Sequence, residues 1–564
     1  MLNSPTAGSA IAVGPPLSDE PGLGALTLPG FLREVTERYG DREALRAHDG
    51  TGVTSWTYRD LWNHSVEVAR ALRACGVGKD TRVGVLMTNR PEWLAAVFGT
   101  SLAGGVAVAL STFSTPAELD HLLRVSDISV LLFERQVART DFLSVLTELE
   151  PALADSSPTG LRSMTYPFLR HLAVVGESAP DTAIEAWADF LARGADEPAE
   201  LIAATSASVQ PSDTAVIFFS SGTTSKPKGI RNAHRGVAVQ MWRFGRMFAF
   251  DSHDTVRCWA ANGFFWSGNF GQALGTTLAV GGTLVLQRLF DATEAVALFE
   301  SEQVTFPVAW PHQWAQLAAA PNWPDADLSS LTFVDRGTPA GRHPTVRTDW
   351  TECGHAYGNT ETFTISTCYP ACTPEHVHAG SSGIPLPGVR VKIADPLTGT
   401  VLDRGDSGEI CVKGPTLMLG YLGTPLDETL DTEGYFHTGD GGYLDDEDRL
   451  YWTGRLTDII KTGGANVSPL EVDEQLARYP GVKIGRTVGV PHDTLGEVVV
   501  ACVVPQPDAH LDSEMLRGFL RERLASYKVP RYVLLFAEDD FSLTGSAKIK
   551  SADLRQLAAA RLAH

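Results

Sequence analysis

Short apolar runs alternate with longer amphipathic segments over residues 82–133. The runs that are typical of buried strands are residues 82–87, 106–110 and 128–133. Apolar residues recur near one helical face over residues 90–103, which predicts a helix. Thr115, Pro116 and Glu118 predict the start of a second helix, because they match an N-cap, a first-turn proline and a capping box. This order of elements predicts a parallel sheet with crossover helices.

The same alternation returns after residue 210. The predicted elements are strands at residues 215–219, 284–290 and 304–310 and helices at residues 237–247 and 292–301. We therefore predict an α/β protein whose large N-terminal part consists of sheet-and-helix subdomains.

The pattern changes after residue 380, where the apolar runs become short and are bounded by turns. These runs are residues 389–394, 409–413, 442–444 and 449–452, and they predict an antiparallel β subdomain. The last part of the chain has its own pattern, with a helix cap at Ser468 and Glu471, strands at residues 486–490 and 498–504, and a helical face of Leu516, Phe519, Leu520 and Leu524. We expect residues 29–454 to form a large N-terminal domain and residues 455–564 a small α+β domain.

Composition places the chain among ordinary globular proteins. Hydrophobic residues make up 43% and charged residues 20%, which excludes global disorder. The 46 basic and 67 acidic residues give a net charge of −21. A charge of this sign argues against a general nucleic-acid or anionic-membrane binder.

Residues 1–28 are rich in Ser, Pro, Ala and Gly, which predicts a flexible tail and no secretory signal. No apolar stretch reaches the length of a membrane span. Seven cysteines are too few for a disulfide scaffold in a chain of 564 residues. We therefore expect a cytoplasmic protein with reduced thiols.

A loop of glycines, hydroxyls and lysines, residues 220–229, follows the strand predicted at residues 215–219. Glycine lets backbone N–H groups turn toward an anion, hydroxyls donate hydrogen bonds and lysine supplies positive charge. A triphosphate needs these properties, although most Ser/Gly loops are plain surface turns. The spacing is not that of a Walker A loop.

This loop, Ser220-Ser-Gly-Thr-Thr-Ser-Lys-Pro-Lys-Gly229, resembles the phosphate signature of the adenylate-forming superfamily, which includes acyl-CoA synthetases, peptide-synthetase adenylation domains and luciferases. Ser225 stands where the family has Gly. The resemblance covers roughly residues 31–555, and the other family motifs follow in the same order. It implies ATP as a substrate and a phosphate-binding set of Ser220, Ser221, Gly222, Thr223, Thr224 and Lys228, with Thr223 among the catalytic residues.

Ala356-Tyr-Gly-Asn-Thr-Glu361 is similar to the family's Tyr-Gly-x-Thr-Glu motif. The resemblance implies that Tyr357 lies near the adenine, that Gly358 belongs to the nucleotide-binding residues and that Thr360 contacts the α-phosphate. It also implies that Glu361 is catalytic and helps to hold Mg²⁺, for which a carboxylate oxygen is a suitable ligand.

Residues 436–440 resemble the family's Thr-Gly-Asp motif, which makes Asp440 the expected ligand of the ribose hydroxyls and Arg455 its companion. A carboxylate suits a diol because it offers two acceptor oxygens. Gly337, Thr338 and Pro339 stand where the family places a backbone strand along the adenine. The stretch 408–421 resembles another family motif, which we interpret as mainly structural.

Residues 456–471 resemble the family's hinge and thiol-substrate loop, with Thr457 at the hinge and Gly463 and Gly464 in the loop. Residues 543–548 resemble the C-terminal motif that carries the catalytic lysine, here Lys548, with Ala547 in place of the usual Gly. The resemblance implies a mobile small domain that rotates between adenylate formation and attack by the thiol. Lys548, Mg²⁺ and the loop donors would offset the repulsion between carboxylate and triphosphate.

Residues 263–271 occupy the position of the family's aromatic gate, with Trp266 in place of the more frequent His. The predicted lining of the acid pocket is Phe265, Trp266, Trp310 and His312. These aromatic residues imply an apolar pocket that fits an aryl or alkyl acid, although aromatic residues in such a stretch are often core. No residue is an obvious partner for an α-amino group, which disfavours an amino-acid substrate.

Cys368, Cys372, His376 and His378 form a pattern that could suggest a zinc site. The spacing differs from Cys-x-x-Cys, and we prefer a loop with free thiols.

The sequence thus predicts an AMP-forming acid–thiol ligase. ATP activates a small-molecule carboxylic acid as acyl-AMP with release of pyrophosphate, and CoA then forms the thioester. One alternative is a ligase of the same fold that passes the activated group to a carrier protein. Another is an ATP-dependent diazotase that uses nitrite and an arylamine. A non-enzymatic binding protein is disfavoured because the catalytic motifs are nearly complete.

Overall fold

The structure is a computed structural model that describes residues 8–48, 52–158, 160–178, 182–220, 227–250, 255–352, 356–456, 458–462, 465–492, 495–507, 509–524, 528–541 and 551–562. The chain divides into two compact units. The larger unit comprises Val13–Arg390 and Val412–Phe436. The smaller unit comprises Met1–Ala12, Val391–Cys411 and His437–His564.

A seven-stranded sheet organises the first half of the larger unit. Its strands, in spatial order, are Ile184–Ala186, His171–Val175, Val130–Glu134, Arg82–Leu86, Val106–Ala109, Thr214–Ser220 and Lys228–Ala233. All neighbouring strands are parallel except the last pair. The central strands are buried along their length, which explains their continuous apolar runs. The parallel sheet predicted from the sequence is confirmed.

The crossover helices begin where the sequence predicts. Pro116–Ser126 has Thr115 as its N-cap, and the reciprocal bonds between Thr115 and Glu118 form the predicted capping box. Pro91–Leu102 is the preceding helix, and every residue but Glu92 is buried. The core of this layer is a cluster that includes Leu86, Val108, Leu131 and Phe133.

A second, five-stranded sheet lies in the same unit. Its order is Phe306–Val308, Arg257–Ala260, Thr283–Leu286, Glu43–His48 and Val53–Thr57, with only the last pair antiparallel. Two further short antiparallel pairs occur among the described residues of this unit, Gln136–Val137 with Thr140–Asp141 and Thr367–Cys368 with Ile384–Pro385. The other helices of this unit are Leu28–Tyr39, Tyr58–Ala74, Phe142–Leu149, Ala152–Asp155, Trp187–Ala192, Ala199–Ser208, His234–Met247, Ser267–Asn269, the π-helical turn Phe270–Gly275, Thr276–Ala279, Ala292–Ser301, Pro311–Ala318 and Glu375–His378.

The strand Lys228–Ala233 is absent from the sequence prediction, which placed a helix after the loop at residues 220–229. It pairs antiparallel with Thr214–Ser220, and Ser220 lies opposite Lys228. Its other edge bonds to a later segment, because Arg231 donates its N–H to the carbonyl of Gly420 at 3.0 Å. A partner so distant in the sequence leaves no local pattern.

The prediction of a flexible tail over residues 1–28 is wrong for the part from residue 8 onward. Ile11–Val13 is an edge strand, and the N–H of Ala10 donates to the carbonyl of Leu402 at 2.8 Å. In the larger unit, the buried carboxylate of Glu20 accepts from Arg243 Nε at 2.6 Å and from Arg246. Composition suggested a tail because these contacts join residues that are hundreds of positions apart.

The described part of the smaller unit contains two sheets. The first has the order Ile11–Val13, Arg390–Ala394, Gly408–Lys413, Phe436–Leu444 and Leu450–Arg455. The second has the order Ala465–Val467, Ile460–Thr462, Gly496–Pro505 and Val482–His492, with Tyr532–Leu535 also beside Gly496–Pro505. The α-helices described in the smaller unit are Pro469–Ala477, Ser513–Arg521 and Ser551–Leu562.

The helix Pro469–Ala477 begins at the predicted residue, but its N-terminus is not a capping box. The Ser468 side chain makes no cap hydrogen bond, and its hydroxyl donates to the carbonyl of Thr453 instead. Glu471 accepts from Lys528 Nζ at 2.7 Å. Longer-range partners therefore replace the local bonds that the sequence suggested.

Candidate functional site

The predicted phosphate loop, residues 220–229, begins at the last residue of the strand Thr214–Ser220 and ends within the strand Lys228–Ala233 of the larger unit. Of the predicted phosphate ligands, Ser220 and Lys228 are described and lie opposite each other in the ladder. Ser221, Gly222, Thr223 and Thr224 lie outside the described residues. The end of the loop has a contact that the sequence analysis missed, since His121 Nε2 lies 3.1 Å from the carbonyl oxygen of Pro227.

Lys228 and Glu361 share a neighbour, Tyr421. Lys228 Nζ lies 5.0 Å from the centre of the Tyr421 ring, and the Tyr421 hydroxyl donates to Glu361 Oε1 at 2.8 Å. The segment 408–421 was interpreted as mainly structural, yet its last residue contacts two predicted site residues. The Gly-Tyr pair that closes that motif was the only signal for this contact in the sequence.

The segment that carries Tyr357 and Glu361 is a tight turn. The N–H of Tyr357 donates to the carbonyl of Thr367 at 3.0 Å, and the Tyr357 side chain is buried. A Cβ on Gly358 would lie 1.7 Å from the carbonyl oxygen of Thr364, so only glycine fits there. Thr360 and Glu361 follow within one 3₁₀ turn.

Backbone strain follows directly after Glu361. Phe363 has φ +46° and Thr364 has φ +83°, a region that costs side-chain-bearing residues free energy. The buried Gln240 Nε2 donates to the carbonyls of Phe363 and Ile365 at 2.9 and 2.7 Å. Gln240, which the sequence analysis did not single out, thus stabilises the conformation that places Glu361.

The donor chemistry at Glu361 fits a magnesium ion. Its carboxylate is half-buried, and Tyr421 engages Oε1. A hard cation prefers carboxylate oxygens, and a protein usually supplies Mg²⁺ with only one or two of them beside substrate phosphates. Glu361 is therefore a suitable protein ligand for a nucleotide-bound cation.

Asp440 and Arg455 meet in the smaller unit. They are paired residues on the antiparallel strands Phe436–Leu444 and Leu450–Arg455, and Arg455 Nε lies 2.9 Å from Asp440 Oδ1. Asp440 is only 4% exposed. The structure therefore brings together the predicted ribose ligand and its predicted companion.

Glu409 holds the backbone just before Asp440. Its Oε1 accepts from the N–H of Gly439 at 2.9 Å, and its Oε2 lies 2.7 Å from His437 Nδ1. Thr438 adds a further contact, because its hydroxyl donates to the carbonyl of Ile410 at 2.7 Å. The sequence analysis did not single out Glu409 or His437.

A cluster suited to a metal ion exists within the described residues, but not where the sequence suggested. The ligand atoms of Glu409, Cys411 and His437 lie within 4.8 Å of one another. No such cluster forms at Cys368, Cys372, His376 and His378, all of which are described. Cys368 and Cys372 form no disulfide bond.

Gly337, Thr338 and Pro339 form a turn, which differs from the expected strand along the adenine. Asp335 closes this turn. Its Oδ1 accepts from the N–H of Gly337 at 2.6 Å, and its carbonyl accepts from the Thr338 hydroxyl at 2.7 Å. The short side chain of Asp335 thus captures the backbone locally and prevents an extended conformation.

The predicted pocket residues form a row of aromatic rings in the larger unit. Phe265 packs edge-on against Trp266, with ring centres 5.3 Å apart. Trp266 stacks on Trp310 at 5.3 Å with an interplanar angle of 10°, and Trp310 contacts His312 at 6.0 Å. Phe113 lies at the other end of the row, 6.2 Å from Trp266. It is 56% exposed and was missed.

Buried amides fix this aromatic row. Gln313 and Asn262 exchange two side-chain hydrogen bonds, at 2.9 and 3.1 Å. Gln313 Oε1 also accepts from the N–H of Trp310, and Asn89 Oδ1 accepts from that of Phe264, both at 2.9 Å. One polar network therefore holds the backbone before Trp266 and the backbone of Trp310. The network fixes the positions of the two indole rings relative to each other.

Partial burial lowers the pKa of His312 below its ordinary value. The shift favours the neutral imidazole at neutral pH. The neutral ring can donate or accept a hydrogen bond.

The remaining predicted residues, Thr457, Gly463, Gly464 and Lys548, lie outside the described residues. The strands Ile460–Thr462 and Ala465–Val467, on either side of the two glycines, pair antiparallel.

Comparisons with known proteins agree with the motifs. Residues 32–422 match the family of AMP-binding enzymes, and residues 471–548 match the C-terminal domain of AMP-binding enzymes. A feruloyl-CoA synthase of Amycolatopsis is 32% identical over 514 residues, 90% of this chain and 94% of the relative. An octahydro-indenyl propanoyl:CoA ligase of Rhodococcus jostii is 31% identical over 540 residues, 94% of this chain and 98% of the relative. The chain therefore belongs to the AMP-binding enzyme family.

The solved structures support the same fold. An anthranilate CoA ligase in complex with anthranoyl-AMP matches with a TM-score of 0.78 at 24% identity, over 97% of this chain and 100% of that one. The predicted fold class is confirmed. The predicted activity is confirmed as well: an AMP-forming ligase makes an acyl-AMP from ATP and then a CoA thioester. The named relatives do not favour the carrier-protein and diazotase alternatives. Within the described residues, no helix is both long and apolar enough to cross a membrane.

Proposed function

We propose that the acid substrate is a ring-bearing, mostly apolar carboxylic acid. The observation that carries this proposal is the stacked pair Trp266 and Trp310, with ring centres 5.3 Å apart, beside Phe265 and Phe113. Flat aromatic side chains fixed by a polar network favour a flat or cyclic ligand over a flexible chain, because less ligand entropy is lost on binding. Relatives named for feruloyl and octahydro-indenyl propanoyl groups support this class.

His312 at the end of the aromatic row refines this proposal. Since burial lowers its pKa, it offers a neutral hydrogen-bonding group. A substrate with a hydroxyl or ketone on the ring fits this neutral partner. A second carboxylate would lack a charge partner in His312, which disfavours dicarboxylic acids.

The nucleotide is assigned to the remaining motif residues. We propose that Asp440 binds the ribose hydroxyls with Arg455 beside it, and that Tyr357, Gly358 and the turn Gly337–Pro339 lie near the adenine. The phosphates are assigned to Thr360 and to the loop residues Ser220, Ser221, Gly222, Thr223, Thr224 and Lys228.

Glu361 is proposed as the protein ligand of Mg²⁺. When bound, the cation neutralises charge on the phosphates and on the departing pyrophosphate. The residues of this chain orient the acid carboxylate toward the α-phosphate, exclude water from the acyl-AMP and present it to the thiol. Lys548 is the proposed donor of positive charge between the two anions in adenylate formation.

We further propose that residues 29–454 and 455–564 act as a large domain and a mobile small domain, a functional division that differs from the compact units in its placement of residues 391–411 and 437–454. Thr457 would serve as the hinge, and Gly463 and Gly464 would adjoin the thiol in the second half-reaction. A cytoplasmic location fits a substrate set of ATP and CoA.

The experiment is an acid panel assayed for pyrophosphate release, with and without CoA. The panel contains a hydroxycinnamic acid, a bicyclic keto acid, a linear alkanoic acid of equal carbon number, a dicarboxylic acid and an amino acid. We expect the ring-bearing acids to have kcat/KM values at least tenfold above the others and to yield CoA thioesters. A clear preference for the linear alkanoic or the dicarboxylic acid would overturn the proposed substrate class.

A further inference from the structure

Tyr421 belongs to a short segment that is attached to the strand leaving the phosphate loop. Leu419 donates its N–H to the carbonyl of Arg231 at 2.8 Å, and Leu422 donates to the carbonyl of Gly229 at 2.8 Å. A Cβ on Gly229 would lie 2.5 Å from Leu422 Cδ1, so the two segments are in close contact. The position of Tyr421 is therefore defined relative to the base of the phosphate loop.

The same segment is attached to Glu361 at two points. The N–H of Met418 donates to the backbone carbonyl of Glu361 at 2.7 Å, and the Tyr421 hydroxyl donates to Glu361 Oε1 at 2.8 Å. The first bond fixes the main chain of Glu361. The second fixes the rotation of its carboxylate group and engages one of its two oxygens.

Lys228 adds a charge to this arrangement. Its ammonium lies 5.0 Å from the centre of the Tyr421 ring, within the range of a cation–π contact. A positive charge beside a phenol stabilises electron density on its oxygen and so makes its proton a better hydrogen-bond donor. The bond to the Glu361 carboxylate is thereby strengthened.

We propose that Tyr421 is the positioning residue for Glu361: its hydroxyl holds one carboxylate oxygen so that the other is presented to the Mg²⁺ of the bound nucleotide. This inference rests on the proposed function, in which Glu361 is the metal ligand. It extends that function by assigning a role to a residue that the motif analysis treated as structural. Preorganisation of this kind lowers the entropy that is lost when the cation binds.

The test is calorimetric measurement of ATP binding to the full-length protein, with saturating Mg²⁺ and with EDTA. Tyr421→Phe keeps the ring and its contact with Lys228 but removes the hydroxyl. We expect its Kd for ATP with Mg²⁺ to rise about five- to tenfold, as for one lost hydrogen bond to a charged group. The Kd in EDTA should equal that of the wild type.

Tyr166→Phe is the matched control. The Tyr166 hydroxyl donates to Asp120 Oδ1 at 2.7 Å in the same unit, so the control removes a comparable tyrosine–carboxylate bond from a helix surface. We expect no change in either Kd for this variant. A Tyr421→Phe effect of equal size in EDTA and Mg²⁺ would mean a general structural role and would overturn the proposal.

Glu361→Gln separates this inference from the proposed function. If Glu361→Gln leaves the Mg²⁺ dependence unchanged, the metal role of Glu361 is wrong and the inference about Tyr421 fails with it. If Glu361→Gln weakens binding with Mg²⁺ and Tyr421→Phe does not, only the Tyr421 inference is overturned. The double variant should bind no more weakly than Glu361→Gln, because the two residues act on the same ion. Additive losses would contradict the proposal.

Should Tyr421→Phe unfold, Lys228→Met provides a second measurement. We expect it to raise the Kd both with Mg²⁺ and in EDTA, because Lys228 is also a proposed phosphate ligand. Lys228→Met should also raise the Mg²⁺ concentration at which half of the Mg²⁺-dependent decrease in the Kd for ATP is reached. An unchanged Mg²⁺ requirement in this variant would overturn the inference.

Discussion

Asp440 and Arg455 lie side by side on paired strands, with Arg455 Nε 2.9 Å from Asp440 Oδ1. The carboxylate is almost fully buried, so the arginine compensates for a charge that water does not solvate. Such a fixed carboxylate is preorganised to accept hydrogen bonds from a diol, because its orientation is set before the ligand arrives.

We predict that Asp440→Asn weakens ATP binding about ten- to a hundredfold, the cost of about 1.5–3 kcal/mol for a lost hydrogen bond to a charged group. Titration calorimetry with ATP measures this directly. Asp448→Asn is the control, since Asp448 pairs with Arg404 at 2.6 Å in the same unit. Equal ATP affinity in Asp440→Asn and the wild type would refute the ribose assignment.

Glu409 is predicted to act on nucleotide binding through the backbone of Gly439. Glu409→Ala removes the acceptor for the Gly439 N–H and the partner of His437 Nδ1, and we expect a loss of about tenfold in ATP affinity. Glu409→Gln keeps an acceptor oxygen and should restore most of the affinity. If Glu409→Gln has wild-type stability in urea denaturation but the weak ATP affinity of Glu409→Ala, the proposal that Glu409 acts on ATP binding through the backbone of Gly439 is wrong.

Trp266 is predicted to select the acid and not the nucleotide. Trp266→Ala removes the stack on Trp310. The preference for cyclic over linear acids should then fall about tenfold, because the aromatic contact is worth about 0.5–1.5 kcal/mol beyond the free energy of the buried area that is also lost. Steady-state kinetics over the acid panel give the ratio, and calorimetry should show unchanged ATP affinity. Trp187→Ala, which removes the Trp187–Phe190 contact in the same unit, should leave selectivity unaltered. Unaltered selectivity in Trp266→Ala would place this residue in the core.

Lys548 and Thr457 are predicted to affect different half-reactions. Lys548→Ala should slow adenylate formation by at least a hundredfold and slow the reaction of supplied acyl-AMP with CoA much less. Thr457→Pro should slow the second step more, because proline fixes φ and removes a donor at the proposed hinge. Single-turnover kinetics of each step distinguish the two variants. A folded Lys548→Ala protein that loses both steps equally would contradict the assignment.

The smaller unit is predicted to lose stability as pH rises toward neutrality. Burial raises the pKa of Asp473 from 3.8 to about 7, although Arg486 beside it acts in the opposite direction. At pH values between about 4 and about 7, Asp473 holds a proton in the folded protein that the unfolded chain has released. The contribution of Asp473 to the free energy of unfolding therefore falls as the pH rises through this range. Asp473→Asn does not titrate. The stability difference between variant and wild type, measured by urea denaturation, should therefore shift in favour of the variant over that range. A difference independent of pH would contradict the raised pKa.

Local patterns of the sequence predicted much of the fold. Thr115 and Glu118 form the predicted capping box because all its partners lie within one helical turn. The helix Ala292–Ser301 has the predicted bounds, and the central parallel strands are buried runs. The predicted nucleotide residues Asp440 and Arg455 are paired, because the strands Phe436–Leu444 and Leu450–Arg455 that carry them are antiparallel neighbours.

The tertiary structure decided the contacts that complete the candidate site. Gln240 compensates for the strain at Phe363, and Tyr421 orients Glu361. Glu409 holds the backbone before Asp440, and the strand Lys228–Ala233 depends on a partner near Gly420. A motif names which side chains carry the chemistry, because residue type and spacing are properties of the sequence. The groups that hold those side chains in place come from distant segments, and only folding brings them within hydrogen-bond distance.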